Sequence, residues 1–191
     1  MRTAALERIT DETQIKIFLN LDGSGNSTVK TPIGIFNHFL SLFCFFSKID
    51  LEVNASGDID VDEHHLMEDT GIVLGKALKA ALGEKRGIAR FGWSAVPMDE
   101  ALVLVSLDIS GRAYLNYELP VLEWVGKVKG ESFKEFFLGF VRGGELTLHI
   151  KGLSGANSHH IMESTFKGLG ICLRSAKAIS DDRIPSTKGV I

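Results

Sequence analysis

Cysteine and proline are both scarce in this chain, with two and four residues respectively in 191. Cys44 and Cys172 each lie in an apolar, helix-like stretch, where a free cysteine behaves as a small buried hydrophobe. A disulfide framework is excluded, and nothing implies an oxidising compartment. Long apolar runs are also missing. The longest, Phe39 to Phe46, falls far short of the ~20 residues a spanning helix needs, so no membrane partner is expected. Positive charge is not in excess: 21 Lys and Arg stand against 24 Asp and Glu, for a net charge of −3. No basic stripe with interleaved aromatics is present either, which argues against a nucleic-acid partner. Met1-Arg2-Thr3 leads into charged sequence and not into a signal-peptide core, so the expectation is a soluble, cytoplasmic protein. The 45% hydrophobic content is enough to bury a core, as one domain or as two fused small ones.

What is present is ordered as a repeat. Gln14 to Leu21 alternates Ile15, Ile17, Leu19 and Leu21 with less buried positions, the period of a half-buried strand, and Asp22-Gly23-Ser24-Gly25 turns it. Ile33 to Phe46 is apolar on nearly all sides and suits a helix packed between layers. Asp50 to Val53 and Asp58 to Asp62 read as short strands, and His64 to Leu82 reads as a helix stopped by Gly83. Arg90 to Tyr117 reads as a strand meander. The order then recurs: Ser132 to Val141 repeats the first helix, Glu145 to Ile150 repeats the strand at Asp50, and Ser158 to Ala178 repeats the second helix. Setting Leu148-His149 on Leu51-Glu52 superposes Phe36-Asn37-His38 on Phe133-Lys134-Glu135, while His64-His65 meets His159-His160 after a two-residue shift. The expected fold class is α+β: two fused pseudo-symmetric repeats, residues 1–92 and 93–191, split near Gly92. Each repeat is a mixed sheet covered on one face by two helices, and the two helical layers pack together between the sheets.

The six histidines carry the chemistry. Four form adjacent pairs, each followed by a carboxylate: His64-His65-Leu66-Met67-Glu68 and His159-His160-Ile161-Met162-Glu163. On a helix, His64 with Glu68 and His159 with Glu163 are i,i+4 partners on one face, able to grip one ion. The second histidine of each pair lies about 100° around the axis and is expected to serve a second ion. If the repeats face each other, His160 completes the His64 and Glu68 set, and His65 completes the His159 and Glu163 set. The repeat alignment adds His38 to the latter ion and Glu135 to the former. Four protein ligands on each of two metals leave open positions for substrate. His149 falls in an alternating strand where Glu52 takes its repeat position, and it is read as structural. Asp58-Ile59-Asp60-Val61-Asp62 mimics the opening of a calcium loop, but Glu63 stands where glycine is needed and Asp69 where glutamate is expected. Those aspartates are expected to alternate with Ile59 and Val61 in a strand.

Around these histidines lie Glu12-Thr13, Leu21-Asp22-Gly23-Ser24-Gly25, Asp62-Glu63-His64-His65-Leu66-Met67-Glu68-Asp69, Arg90-Phe91-Gly92, Pro97-Met98-Asp99-Glu100-Ala101, Ser110-Gly111-Arg112, Asn157-Ser158-His159-His160 and Pro185-Ser186-Thr187-Lys188-Gly189. In these motifs, over nearly its whole length, the chain resembles the imidazoleglycerol-phosphate dehydratases. The resemblance implies an α+β fold of the kind found in a ribosomal-protein domain, two Mn2+ ions per active site, and a homo-oligomeric shell of 24 subunits whose sites are completed by neighbouring chains. It implies a hydro-lyase of histidine biosynthesis. The metal ligands expected are His38, His64, His65, Glu68, Glu135, His159, His160 and Glu163. Substrate contacts are expected from Glu12, His38, His64, His65, Glu68, Arg90, Arg112, His159, Lys167, Ser186, Thr187 and Lys188, with the basic and hydroxyl residues serving the phosphate. The sequence departs from the family pattern in three places. Asn37 stands where the family usually has aspartate, Leu42 to Lys48 lacks the usual Ala-Arg-His-like stretch, and Glu135 occupies a slot that is histidine in many relatives.

The dehydration so implied is difficult because the carbon that loses hydrogen has no adjacent carbonyl. The imidazole ring is the expected electron sink, bridging the two metals as an imidazolate while the C3 hydroxyl leaves to give a diazafulvene. A base then takes the C2 proton to form the enol of imidazole-acetol phosphate. Glu12 is the first choice for that base and Glu163 the fallback. The rival enzyme reading is a di-metal phosphatase that activates water on the same ions. A ferritin-type metal store would need four long helices with Glu-x-x-His order, the reverse of the order here. Nothing N-terminal resembles a phosphatase domain, so a single activity is expected.

Overall fold

In a computed structural model describing residues 1–191, the alternation read at Gln14 becomes a strand with Ile15, Ile17 and Leu19 buried on one face. The first half runs β1 (Thr3–Ile9), β2 (Thr13–Asn20), β3 (Ser27–Lys30), α1 (Gly34–Ser47), β4 (Asp50–Gly57) and α2 (His64–Leu82). The second half runs β5 (Phe91–Met98), β6 (Ala101–Asp108), β7 (Tyr114–Glu118), a small hairpin of β8 (Trp124–Val125) and β9 (Val128–Lys129), α3 (Gly130–Gly144), β10 (Thr147–Ser154) and α4 (Ser158–Ala176). Both sheets have one topology, β1-β2-β4-β3 and β5-β6-β10-β7, with the last strand parallel to its neighbour and the others antiparallel.

Strand register fixes how the halves correspond. Leu51 of β4 pairs with Leu19 and Ser27, and Leu148 of β10 pairs with Leu107 and Leu115. Residues of β1 to β3 therefore recur 88 positions later, whereas β4 recurs 97 positions later. The nine additional residues fall in the segment that carries the β8–β9 hairpin. Even the helix ends correspond: Lys48 closes α1 and Glu145 closes α3, each with a left-handed backbone (φ 54° and 53°).

Three elements differ from the sequence reading. β1 and β3 lie at sheet edges with little of their surface buried, so their alternation carries no clear apolar signal. Asp58 to Asp62 is a turn and not a strand. β4 has already run to Gly57, which pairs with Thr13 at the very start of β2, so no ladder partner remains, and Ile59 and Val61 point to solvent. The expected meander is interrupted, because β10 enters between β6 and β7. A division of the chain between the two sheets falls in the 83–90 connection, ahead of Phe91 and Gly92, which are the first two residues of β5.

The helices lie between the sheets and pair across the halves, α2 with α3 and α1 with α4. Eight buried phenylalanines fill the layer: Phe36, Phe39 and Phe43 from α1, Phe133, Phe136, Phe137 and Phe140 from α3, and Phe166 from α4. Phe166 stacks on Phe39 with ring centroids 5.3 Å apart and meets Phe136 at 5.5 Å. The two free cysteines are buried here as well. Burial pushes the Cys44 thiol up to about 12 and the Cys172 thiol to about 11, so neither is a thiolate at neutral pH. No helix is long and apolar enough to cross a membrane.

α2 and α3 meet backbone to backbone. A Cβ placed on Gly71 would stand 2.2 Å from the Phe136 carbonyl oxygen, and one on Gly75 would stand 2.3 Å from that of Phe140. Reciprocally, one on Gly139 would lie 2.5 Å from the Glu68 carbonyl oxygen and one on Gly143 2.3 Å from that of Ile72. Intrinsic helix propensity favours alanine over glycine by about 1 kcal/mol, but inserting a methyl into a closed contact costs about 1–3 kcal/mol or more. Gly71→Ala is therefore expected to lower stability by about 2 kcal/mol in urea unfolding, and an unchanged or higher midpoint would mean that α2 and α3 do not pack this closely.

Candidate metal centre

Both histidine pairs open a helix, and a local side chain fixes each start. Asp62 Oδ1 accepts from the His64 backbone N–H (2.9 Å), and Asn157 Oδ1 accepts from those of His159 (2.9 Å) and His160 (3.3 Å). The i,i+4 spacing then acts as expected. His64 Nε2 lies 3.7 Å from Glu68 Oε2, and His159 Nε2 lies 3.1 Å from Glu163 Oε2. From α1, His38 brings Nε2 to 3.6 Å from the same Glu163 oxygen. The His38 and His159 rings stack at 5.8 Å, with Phe39 packed against both. One ligand atom from each of His38, His159 and Glu163 falls within 4.8 Å of the others, the spacing of groups that can share one cation.

Lys167, one turn beyond Glu163, brings Nζ to 2.6 Å from Glu163 Oε1 and 3.6 Å from Met98 Sδ. Burial works to raise the Glu163 carboxyl. The Lys167 ammonium, with His38 and His159, outweighs it and holds the carboxyl below the usual range, so Glu163 is an anion at neutral pH.

The second ligand set is less complete within one chain. His64 and Glu68 face Arg142 of α3, whose Nη1 lies 3.9 Å from Glu68 Oε1. Glu135 is half-buried on the same helix, one turn before the Gly139 that rests on the Glu68 backbone. His65 and His160, the residues expected to complete the two sets, stand apart from them. Each is rotated around its helix from the neighbouring clip, and α2 and α4 pack on α3 and α1, not on each other.

Instead, His65 and His160 are each held through Nδ1 by carboxylates. Asp58 Oδ2 lies 2.9 Å from His65 Nδ1, with Glu12 Oε2 farther off at 3.8 Å. Glu100 Oε2 lies 2.8 Å from His160 Nδ1. With the proton on Nδ1, the tautomer these acceptors select, Nε2 carries the free lone pair. The hydrogen bonds to Asp58 and Glu100 raise the pKa of His65 and His160 respectively, and Glu100 is in turn held down at about 2. Asp58 and Glu100 are contacts of the two histidines that the sequence reading missed. Asp58 was lost in the supposed strand, but Glu100 was detectable, since it follows Glu12 by the 88 residues that separate the two sheets.

A different group gathers at the far end of α4. Arg90, Arg112, Ser186, Thr187 and Lys188, all expected at a phosphate, line one cleft of about 860 Å³ together with Arg183. Arg112 leaves the turn at Gly111 (φ 72°), and its guanidinium bonds only the Ser110 carbonyl of that turn. Arg90 is more committed: Nε and Nη2 grip Asp108 (2.7 and 3.2 Å), and Nη1 donates to the Pro185 carbonyl (2.9 Å), which fixes the segment ahead of Ser186. Lys167, expected with this set, belongs to the Glu163 cluster instead. The Arg90 backbone N–H bonds the carbonyl of Ala176, the last residue of α4. From Glu163 to Ala176 the helix rises ~20 Å at 1.5 Å per residue, so the His38–His159–Glu163 cluster and the arginine-lined cleft of one chain stand at opposite ends of one helix.

Comparison with known proteins finds relatives over the whole length of the chain. The sequence model of the imidazoleglycerol-phosphate dehydratase family matches residues 31–173. The imidazoleglycerol-phosphate dehydratase of Caldanaerobacter subterraneus subsp. tengcongensis is 51% identical over 194 residues, covering all of both chains. That of Caldicellulosiruptor saccharolyticus is 47% identical over 191 residues, covering all of this chain and 98% of the relative. The crystal structure of the Pyrococcus furiosus protein superposes with a TM-score of 0.86 at 42% identity, over 97% of this chain and 100% of that one. The Staphylococcus aureus structure gives 0.84 at 36% identity, over 93% and 99%. This chain belongs to the imidazoleglycerol-phosphate dehydratase family.

Proposed function

We infer that the protein dehydrates imidazoleglycerol phosphate to imidazole-acetol phosphate, a hydro-lyase step of histidine biosynthesis, using two divalent cations. The observation that carries this reading is the duplicated His-His-x-x-Glu helix start, which places an imidazole–carboxylate clip at each half of a chain similar to dehydratases from end to end. The donors suit Mn, Fe, Co or Zn, and manganese is the choice that the family resemblance favours. His38, His159 and Glu163 would hold one cation, and His64, Glu68 and Glu135 would contribute to the other. Cations bound there supply positive charge to the imidazole ring as the neighbouring C–O bond breaks.

The chain's own residues divide the remaining work. Lys167 keeps Glu163 ionised and oriented, which suits a ligand better than a proton acceptor. Glu12, in the β1–β2 turn, has a side chain 56% exposed and no hydrogen bond to its carboxylate, so it is the stronger candidate to take the C2 proton. Arg112, Lys188 and the Ser186 and Thr187 hydroxyls offer donors to a phosphate, with Arg90 fixing their segment.

The ~20 Å between the cation cluster and the anion cleft is more than the three-carbon chain joining ring and phosphate can span. The ring on one chain's cations and the phosphate in another chain's cleft would satisfy both, and His65 and His160, unused within their own chain, could complete the ligand sets of neighbours. We therefore propose a homo-oligomer with sites shared between subunits, its size of 24 copies resting on the family resemblance.

Manganese-loaded protein is expected to form the ketone product from imidazoleglycerol phosphate, and a chelator is expected to abolish this; release of inorganic phosphate without ketone would favour the di-metal phosphatase instead. His159→Ala should lose bound manganese and turnover together, as measured by metal analysis of the purified protein. Glu12→Gln should retain metal while turnover falls by about 10²–10⁴-fold, and near-normal turnover would move the base elsewhere. Manganese affinity should weaken as pH falls toward and through 6.5, because the raised pKa values of His65 and His160 favour the imidazolium, which has no lone pair to donate, while Glu163 stays ionised. Titration of free Mn2+ by electron paramagnetic resonance would read this, and a flat profile would exclude these two histidines as ligands.

A further inference from the structure

The two halves hold their second histidines by different means. Glu12 and Glu100 occupy equivalent positions in the β1–β2 and β5–β6 turns, 88 residues apart like the strands that flank them. Each is next to the corresponding histidine, yet only Glu100 binds it. Glu100 is fully engaged: besides the 2.8 Å contact to His160 Nδ1, its Oε1 accepts the backbone N–H groups of Asn157 (2.8 Å) and Ala156 (3.3 Å). In the first half, Asp58 takes the Nδ1 contact at 2.9 Å and the Glu12 carboxylate is left at 3.8 Å without a hydrogen bond.

The reason lies in the connections before α2 and α4. The first runs from Asp58 to Glu63 and begins with an acid; the second is Gly155-Ala156-Asn157 and contains none. The Asp58 backbone N–H also bonds the Glu12 carbonyl (3.1 Å), so Glu12 is anchored beside His65 by its main chain while its side chain stays free. Asp58 itself makes no other side-chain bond, and its Oδ1 is buried without a donor. Such an orphaned carboxylate oxygen is unfavourable and calls for a function that keeps it in place.

We propose that Asp58 and Glu100 are positioning residues that present His65 and His160 through Nε2, and that Asp58, by occupying His65 Nδ1, keeps Glu12 free for the substrate. The two halves thus differ at Nδ1: both pair an acid with it, but only the first has a second acid, Glu12, facing that same nitrogen, whereas the spare acid of the second half, Asp99, lies 3.8 Å from His160 Nε2. The part of this proposal that concerns Glu12 rests on its reading as the base, whereas the positioning of the two histidines does not.

The test compares variants of the assembled protein by Mn2+ titration and by steady-state kinetics. In Asp58→Ala, the Glu12 carboxylate, now 3.8 Å from His65 Nδ1, has only about 1 Å to close before it can replace the missing acceptor. Manganese affinity should then change by less than about 10-fold while kcat falls as far as in Glu12→Gln. Combining Asp58→Ala with Glu12→Gln should lower kcat no further, and Asp58→Asn, which keeps an acceptor oxygen, should restore it to within a few-fold. In Glu100→Ala the remaining acid, Asp99, faces Nε2 (3.8 Å) and not Nδ1, so one of the two manganese sites should weaken by about 10- to 100-fold, with Glu100→Gln recovering most of it. Normal kcat in Asp58→Ala, or loss of manganese in step with kcat, would overturn the reserved role of Glu12. Unchanged manganese binding in Glu100→Ala would overturn the positioning role. If Glu12→Gln alone turns over normally, the base assignment fails while the manganese results still decide the positioning of the histidines.

Discussion

The contact on which most else depends is the backbone-to-backbone crossing of α2 and α3. With no side chain at Gly71, Gly75, Gly139 or Gly143, carbonyls of one helix lie against the Cα atoms of the other. That closeness brings Glu68 and Glu135, from separate halves of the chain, to adjoining turns. The matching α1–α4 pair is spaced by aromatic rings instead, with Phe39 packed between Phe166 and the His38 and His159 rings. The side chains of the candidate cation sites are thus mounted on the inter-half packing itself, on helices that cannot shift independently of the core.

Charge follows the same geometry. Imidazoles and carboxylates collect at the N-terminal ends of α2 and α4, and guanidinium and ammonium groups collect where α4 ends against β5 and the C-terminal segment. A net charge of −3 conceals this separation completely. Arg90 shows how the cationic end is built: most of its hydrogen bonds hold Asp108 and the Pro185 carbonyl, so its main service is to shape the cleft that Arg112 and Lys188 fill with charge.

Much of this was legible in sequence because it depends on short-range periodicity. The 3.6-residue repeat alone places His64 over Glu68 and His159 over Glu163, and the recurrence of element order indicates two halves. What could not be read depends on partners remote in the chain. β1 and β3 are edge strands whose pairing, not their composition, makes them strands. Ile59 and Val61 imitate a strand in a segment with no ladder to join. His65 and His160 look like ligands of their own chain's clips until the helix pairing separates them. The β8–β9 hairpin hides the equivalence of Glu12 and Glu100 by changing the offset between the halves from 88 to 97.

The two long helices, α2 and α4, are both 19 residues, although the connections before them differ in length and only the second half carries the β8–β9 hairpin. In α4 this length separates the groups that the helix presents at its two ends. Each added residue would advance one end of α4 by about 1.5 Å and turn it by about 100° relative to the other. The helix therefore serves as a ruler and a protractor at once, and the largest size differences between the halves fall in the β8–β9 hairpin and the connections ahead of α2 and α4.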